Sequence, residues 1–119
     1  MLQEIKLYQG EVGALDVAID YPRTEPKAWA MILHPHPLFD GTRDNKVITT
    51  MSRLLVSHGY VVLRPNFRGV GQSEGSFDEA RGETQDMLAV VQQFLAEHPQ
   101  FAELPWVLGG FSFGSAVAA

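Results

Sequence analysis

The 119 residues include no cysteine, which excludes disulfides and thiolate metal sites. Positive charge is scarce as well. Nine lysines and arginines face fourteen aspartates and glutamates, a net charge of −5, so there is no electrostatic footprint for a nucleic-acid backbone or an anionic membrane surface. No apolar run approaches the roughly 18 residues of a membrane span. Met1-Leu2-Gln3-Glu4-Ile5-Lys6 lacks a basic stretch followed by an apolar core, so a cytoplasmic protein is expected. Repeats, charge blocks and low-complexity tracts are absent too. What remains is ordinary globular composition, 45% hydrophobic and 19% charged, enough for one core spanning 1–119.

Short apolar runs alternate with amphipathic stretches. Residues 2–8 and 12–20 read as two strands of a hairpin that turns near Glu11-Val12-Gly13. Ala28-Trp29-Ala30-Met31-Ile32-Leu33 is continuously apolar, as a strand buried on both faces requires. Val47, Met51, Leu54, Leu55 and His58 fall on one helical face, and Gly59 supplies a C-terminal cap. A strand is expected over 60–64. A second helical stripe follows, Met87, Leu88, Val91, Phe94 and Leu95, stopping before Pro99, and a buried-type strand is expected over 105–110. The order β, β, β, α, β, α, β predicts an α/β sheet flanked by helices, with its later strands parallel.

Gly110-Phe111-Ser112-Phe113-Gly114 places a serine between two glycines directly after that last strand and ahead of the small residues Ser115-Ala116-Val117-Ala118-Ala119. This is the G-x-S-x-G pattern of a nucleophile at a sharp strand-to-helix turn, where neighbouring side chains must be absent for backbone to pass close by. Ser112 is therefore the candidate nucleophile. A serine cannot attack unaided: it needs a histidine to take its proton and an acid to orient the histidine. In folds that use this turn both follow the serine, yet no titratable side chain stands after Ser112 here.

His34-Pro35-His36-Pro37 ends the third strand, where donors for a tetrahedral oxyanion belong. Pro35 and Pro37 have no N–H, so the donor is His36 or, second, Leu38, working with the N–H of Phe113. An H-x-H metal pair is the rival for His34 and His36, but no matching ligand motif follows; a structural role under the loop suits His34 better. The glycines of Asn66 to Gly75 are not spaced for a phosphate and lack G-K-S/T, so a turn shaping the pocket rim is expected. Arg68 is expected to pair with Asp44, Glu83 or Asp86. His58 and His98 read as helix-end residues, and Asp78, Arg81 and Glu83 as helix initiation.

With these residues in view, the chain resembles the α/β-hydrolase superfamily, and within it the small dienelactone-hydrolase-like serine hydrolases with an H-P-H-P loop. The likeness rests on His34-Pro35-His36-Pro37-Leu38, Gly41 with Asp44-Asn45-Lys46-Val47, Asn66-Phe67-Arg68-Gly69-Val70-Gly71 with Ser73 and Gly75, Gly82-Glu83 with Asp86, and Gly109 to Gly114. The resemblance implies hydrolysis of a carboxylic ester or thioester through an acyl-enzyme on Ser112, with the Phe113 and His36 N–H groups on the oxyanion and no cofactor or metal. Members of that family run longer and bring the acid and histidine from loops after later strands. A partial domain, ending after the nucleophile turn and inactive alone, is therefore one expectation. The other is a non-catalytic module that binds a partner through the exposed edge of its sheet. An enzyme using His34 or His36 as its base fails on chain order.

Overall fold

The computed structural model describes residues 2–119. β1 (Leu2–Gln9) and β2 (Ala14–Tyr21) form the expected antiparallel hairpin, and Gly10 donates to the Gly13 carbonyl across its turn (2.8 Å). β3 (Ala28–Leu33), α1 (Lys46–Ser57), β4 (Tyr60–Pro65), α2 (Arg81–Glu97), β5 (Trp106–Gly110) and α3 (Phe113–Ala118) follow. The sheet order is β1-β2-β4-β3-β5, with β4, β3 and β5 mutually parallel and β2 antiparallel to β4.

The continuous apolar run of β3 has a direct explanation. Trp29, Met31 and Leu33 enter a core shared with Val61, Leu63, Met87, Val90 and Phe94, whereas Ala30 and Ile32 pack with Ile48, Val56 and Val62 against α1. Successive strand residues face opposite sides, so a strand covered by helices on both faces must be apolar throughout. The crossovers through α1 and α2 bring the C-terminal ends of the three parallel strands to one end of the sheet. The 3₁₀ turn Pro37–Phe39, the Asn66–Ala80 loop and the β5–α3 turn all begin there.

Two expectations shift. α1 buries Ile48, Ser52 and Val56, while Val47 and Leu54 are exposed: the helix carries apolar residues around more than one face, and Ser52 is drawn inward by donating its hydroxyl to Asp20. On α2, Val90 rather than the exposed Leu88 carries the stripe between Met87 and Phe94. β5, of buried-type composition, has no strand on its outer side among the described residues, so Trp106, Val107 and Leu108 are 48%, 45% and 38% exposed, as an unpaired edge of the sheet is expected to be. Gly59 caps α1 as expected, in the left-handed conformation (φ 88°) with its N–H on the Val56 carbonyl.

Candidate functional site

β5 is held beside β3 in the register Leu33↔Gly110, and the ladder ends where Phe111 donates to the Leu33 carbonyl (3.1 Å). The chain then reverses into α3 through Ser112, whose φ of 59° and ψ of −118° are costly for any residue with a side chain, by about 1–3 kcal/mol. The turn requires both its glycines. A Cβ on Gly114 would collide with the Leu33 carbonyl, and one on Gly110 with the Gly114 backbone. Ser112 is left exposed at the head of α3. The Phe113 N–H, in the first turn of that helix, has no acceptor among the described residues.

Across from it, the end of β3 folds into the 3₁₀ turn. The His36 carbonyl accepts from the N–H groups of Phe39 and Gly41, and the His36 ring caps the turn by accepting from Leu38 N–H at Nδ1 (3.1 Å). The Leu38 N–H, second of the two candidates from this loop, is thus already engaged. The His36 N–H has no acceptor among the described residues. Gly41 closes the loop because a side chain there would strike the Pro35 carbonyl.

His34 is fully buried under this loop. A ring nitrogen facing a carbonyl can only donate, so Nδ1–H donates to the Pro35 carbonyl (2.7 Å), while Nε2 accepts from the Phe67 N–H (3.0 Å). One imidazole therefore joins the loop after β3 to the loop after β4. Burial pushes its pKa down to about 4, outweighing the opposing bond to Pro35. His34 is a neutral strut with both nitrogens committed, and Phe67 extends it edge-on to Phe113, the residue after Ser112 (5.3 Å between centroids).

Behind the site lie three buried or nearly buried arginine–aspartate pairs. Arg68 chooses Asp86 from its three expected partners and holds it with two bonds (2.8 and 3.0 Å), also donating to the Gly82 carbonyl. Arg64 grips Asp20 (2.7 and 3.3 Å), and Asp44 is a marginal, exposed neighbour at 3.5 Å. Burial pulls the Asp20 carboxyl upward, but hydrogen bonds from Arg64, Ser52 and Gln3 hold it below the usual range. Arg43 pairs with Asp16 (2.6 Å), which also accepts from the Gln72 N–H (3.2 Å). The Asp16 and Asp20 pairs were not anticipated. A signal existed: Asp16 and Asp20 share one face of a strand buried along most of its length, which demands counterions.

The glycine segment reaches the site through Phe67 and is anchored at its far end. Glu74 binds the Ala14 N–H through its carboxylate (2.7 Å) and the Ala14 carbonyl through its own N–H (2.8 Å), tying residues 69–75 to the β1–β2 hairpin. Phe77, just beyond, is what reaches over: its ring lies 4.6 Å from His36 and 5.5 Å from Phe113. Glu83 accepts from the Asp78 N–H (2.8 Å) ahead of α2. His58 and His98 cap α1 and α2. Among the described residues, no side chain hydrogen-bonds the Ser112 hydroxyl, and no three His, Asp or Glu converge as metal ligands.

Comparison with known proteins places this geometry. The model of a family described as X-Pro dipeptidyl-peptidase (S15 family) matches residues 13–109, ending three residues before Ser112. An α/β serine hydrolase homologue from Coxiella burnetii superimposes with a TM-score of 0.88 at 41% identity, over 99% of this chain and 56% of that one. XC6422 from Xanthomonas campestris, described as an α/β serine hydrolase without a lid, gives 0.89 at 39% identity over 98% and 53%. The uncharacterized protein RP471 of Rickettsia prowazekii is 46% identical over 96 residues, 80% of this chain and 40% of that protein. The chain thus spans about half the length of these solved relatives. No helix among the described residues is long and apolar enough to cross a membrane.

Proposed function

The chain belongs to the family described as X-Pro dipeptidyl-peptidase (S15), with the fold of the α/β serine hydrolases, and on that premise we propose that Ser112 is the nucleophile of an ester or thioester hydrolase. The observation that carries this is the strained, exposed Ser112 between a strand end and a helix start, with the N–H of Phe113 next to it and that of His36, whose ring meets Phe113, both without an acceptor among the described residues. Strain of this kind persists only where the surrounding structure enforces it. The Ser112 hydroxyl attacks the acyl carbon as a base takes its proton. The oxyanion that forms is held by the Phe113 and His36 N–H groups, and collapse expels the alcohol or thiol. Water then attacks the acyl-serine and releases the acid. The arrangement needs no cofactor or metal, in keeping with the dienelactone-hydrolase-like relatives that the sequence resembles.

None of the four histidines is bonded to Ser112, and His34 has no free nitrogen. On this reading the base and acid come from the rest of the whole protein, and the 119 residues on their own do not hydrolyse ester. The test is covalent labelling of the whole protein by a fluorophosphonate: the wild type is expected to label and Ser112→Ala to lose the label. Equal labelling of the two would overturn the assignment.

A second reading has one observation in its favour. The exposed apolar edge of β5 lies beside a groove of about 330 Å³ lined by Met31, Met87, Val91, Trp106 and Leu108, suited to a partner strand. A non-catalytic module of this kind would bind its partner regardless of Ser112→Ala and would not label.

A further inference from the structure

The surface around Ser112 is unusually aromatic for an exposed one. Leu38 and Phe39 are 66% and 80% exposed on the 3₁₀ turn, and Phe111 is 43% exposed directly before the serine. Phe77 and Phe113 complete the patch, with His36 at its centre, 4.9 Å from Phe39, 4.6 Å from Phe77 and 4.9 Å from Phe113 between ring centroids. These residues come from the segments after three different strands, β3, β4 and β5. Isolated exposed apolar side chains need no explanation, but a contiguous patch does.

Charge around the patch is mainly negative. Asp40 adjoins Phe39 and Glu79 lies two residues after Phe77, both exposed, while the exposed Asp78 between Phe77 and Glu79 sits 3.9 Å from the Arg68 guanidinium. Arg81 stands four residues beyond Phe77, while Arg43, Arg64 and Arg68 are committed to Asp16, Asp20 and Asp86. A carboxylate on a substrate would meet like charge and no uncommitted buried arginine. A flat apolar group would instead find ring faces and edges at stacking distance, a contact worth more than its area alone.

Resting on the assignment of Ser112 as nucleophile, we propose that Phe39, Phe77 and Phe113 form the specificity subsite, and that it takes the aryl-bearing apolar substituent of an uncharged ester or thioester. Small acyl groups leave the rings uncovered, and acidic ones are turned away.

Two measurements on the whole protein test this. The first is an NMR titration with 4-phenylbutan-2-one, an unreactive stand-in for an aryl ester, beside 4-oxopentanoate, its acidic counterpart. Saturable shifts of the Phe39 and Phe77 ring signals are expected with the first ketone only, weakened in Phe77→Ala. No shift, or equal shifts with the acidic ketone, would overturn the subsite. The second is the ratio of kcat/KM for 4-nitrophenyl 3-phenylpropanoate over the acetate, expected to be roughly tenfold in the wild type and to shrink in Phe77→Ala. A ratio near one, or one unmoved by Phe77→Ala, counts against it. Fluorophosphonate labelling separates the two ideas. Labelling of Ser112 without ketone binding removes the subsite and keeps the nucleophile; ketone binding without labelling does the reverse.

Discussion

The neutral, buried His34 makes the stability of the chain depend on acid in a way that can be worked out beforehand. In the unfolded chain its imidazole protonates near the ordinary 6.5; folded, it resists protonation until about pH 4. Between those values the unfolded state binds one more proton than the folded state. Stability therefore rises with pH across this window, is fully present above 6.5, and is lost as pH falls through 4. At about 1.4 kcal/mol per pH unit the loss amounts to about 3 kcal/mol, a large share of a typical domain's stability. Carboxylates titrate in the same range, so the assay must isolate the imidazole. Urea unfolding followed at several pH values would be compared between wild type and His34→Gln, whose amide oxygen can still accept from the Phe67 N–H but cannot titrate. The wild type should lose about 3 kcal/mol more than the variant between pH 7 and 4. Parallel curves would show that His34 is not held neutral, and the strut joining the two loops would fall with it.

Two further predictions concern packing. Gly114→Ala drives a methyl into the Leu33 carbonyl and is expected to cost several kcal/mol, of order 3, whereas Gly109→Ala, whose Cβ meets only Met51 Cε at 3.7 Å, should cost under about 1; thermal unfolding of both variants checks the contrast. Asp86→Ala takes away the buried two-bond partner of Arg68, leaving the Gly82 carbonyl and the longer, exposed contacts to Glu11 and Asp78, and should destabilise by about 3 kcal/mol, while Asp44→Ala, removing an exposed partner 3.5 Å from Arg64, should cost less than about 1, both read from chemical denaturation.

The sequence made the order of elements legible because β3 and β4 are dense in apolar β-formers and the helices end at Gly59 and before Pro99. The facing of the helices was harder to read. Val47, Ile48, Met51, Leu54, Leu55 and Val56 offer more than one apolar stripe, and the burial of Ser52 is settled by Asp20, thirty-two residues earlier. Arg68 had three plausible carboxylates because pairing between distant loops depends on how they are brought together, which periodicity does not encode. β5 has the composition of a buried strand, while among the described residues no strand pairs with its outer side. At the site, the prolines reduced the loop donors to two, but only the ring of His36 turning onto the Leu38 N–H separates them. The reach of Phe77 over His36 carried no signal in spacing at all.

Leu33 and Gly110 are ladder partners, and the two proposed oxyanion donors stand just beyond the ends of these neighbouring strands. The span between them is built on an interstrand repeat of about 4.8 Å, which hydrogen bonding fixes in any sheet. Substitutions at exposed loop positions such as Phe39 can repaint the walls of the pocket while the strand ends that carry the donors keep their spacing, whereas Gly41 and His34, which hold the loop's own shape, have no such latitude. Divergence within this scaffold should then appear as changes in side chains such as Phe39 and Phe77, over strand ends whose spacing the ladder sets.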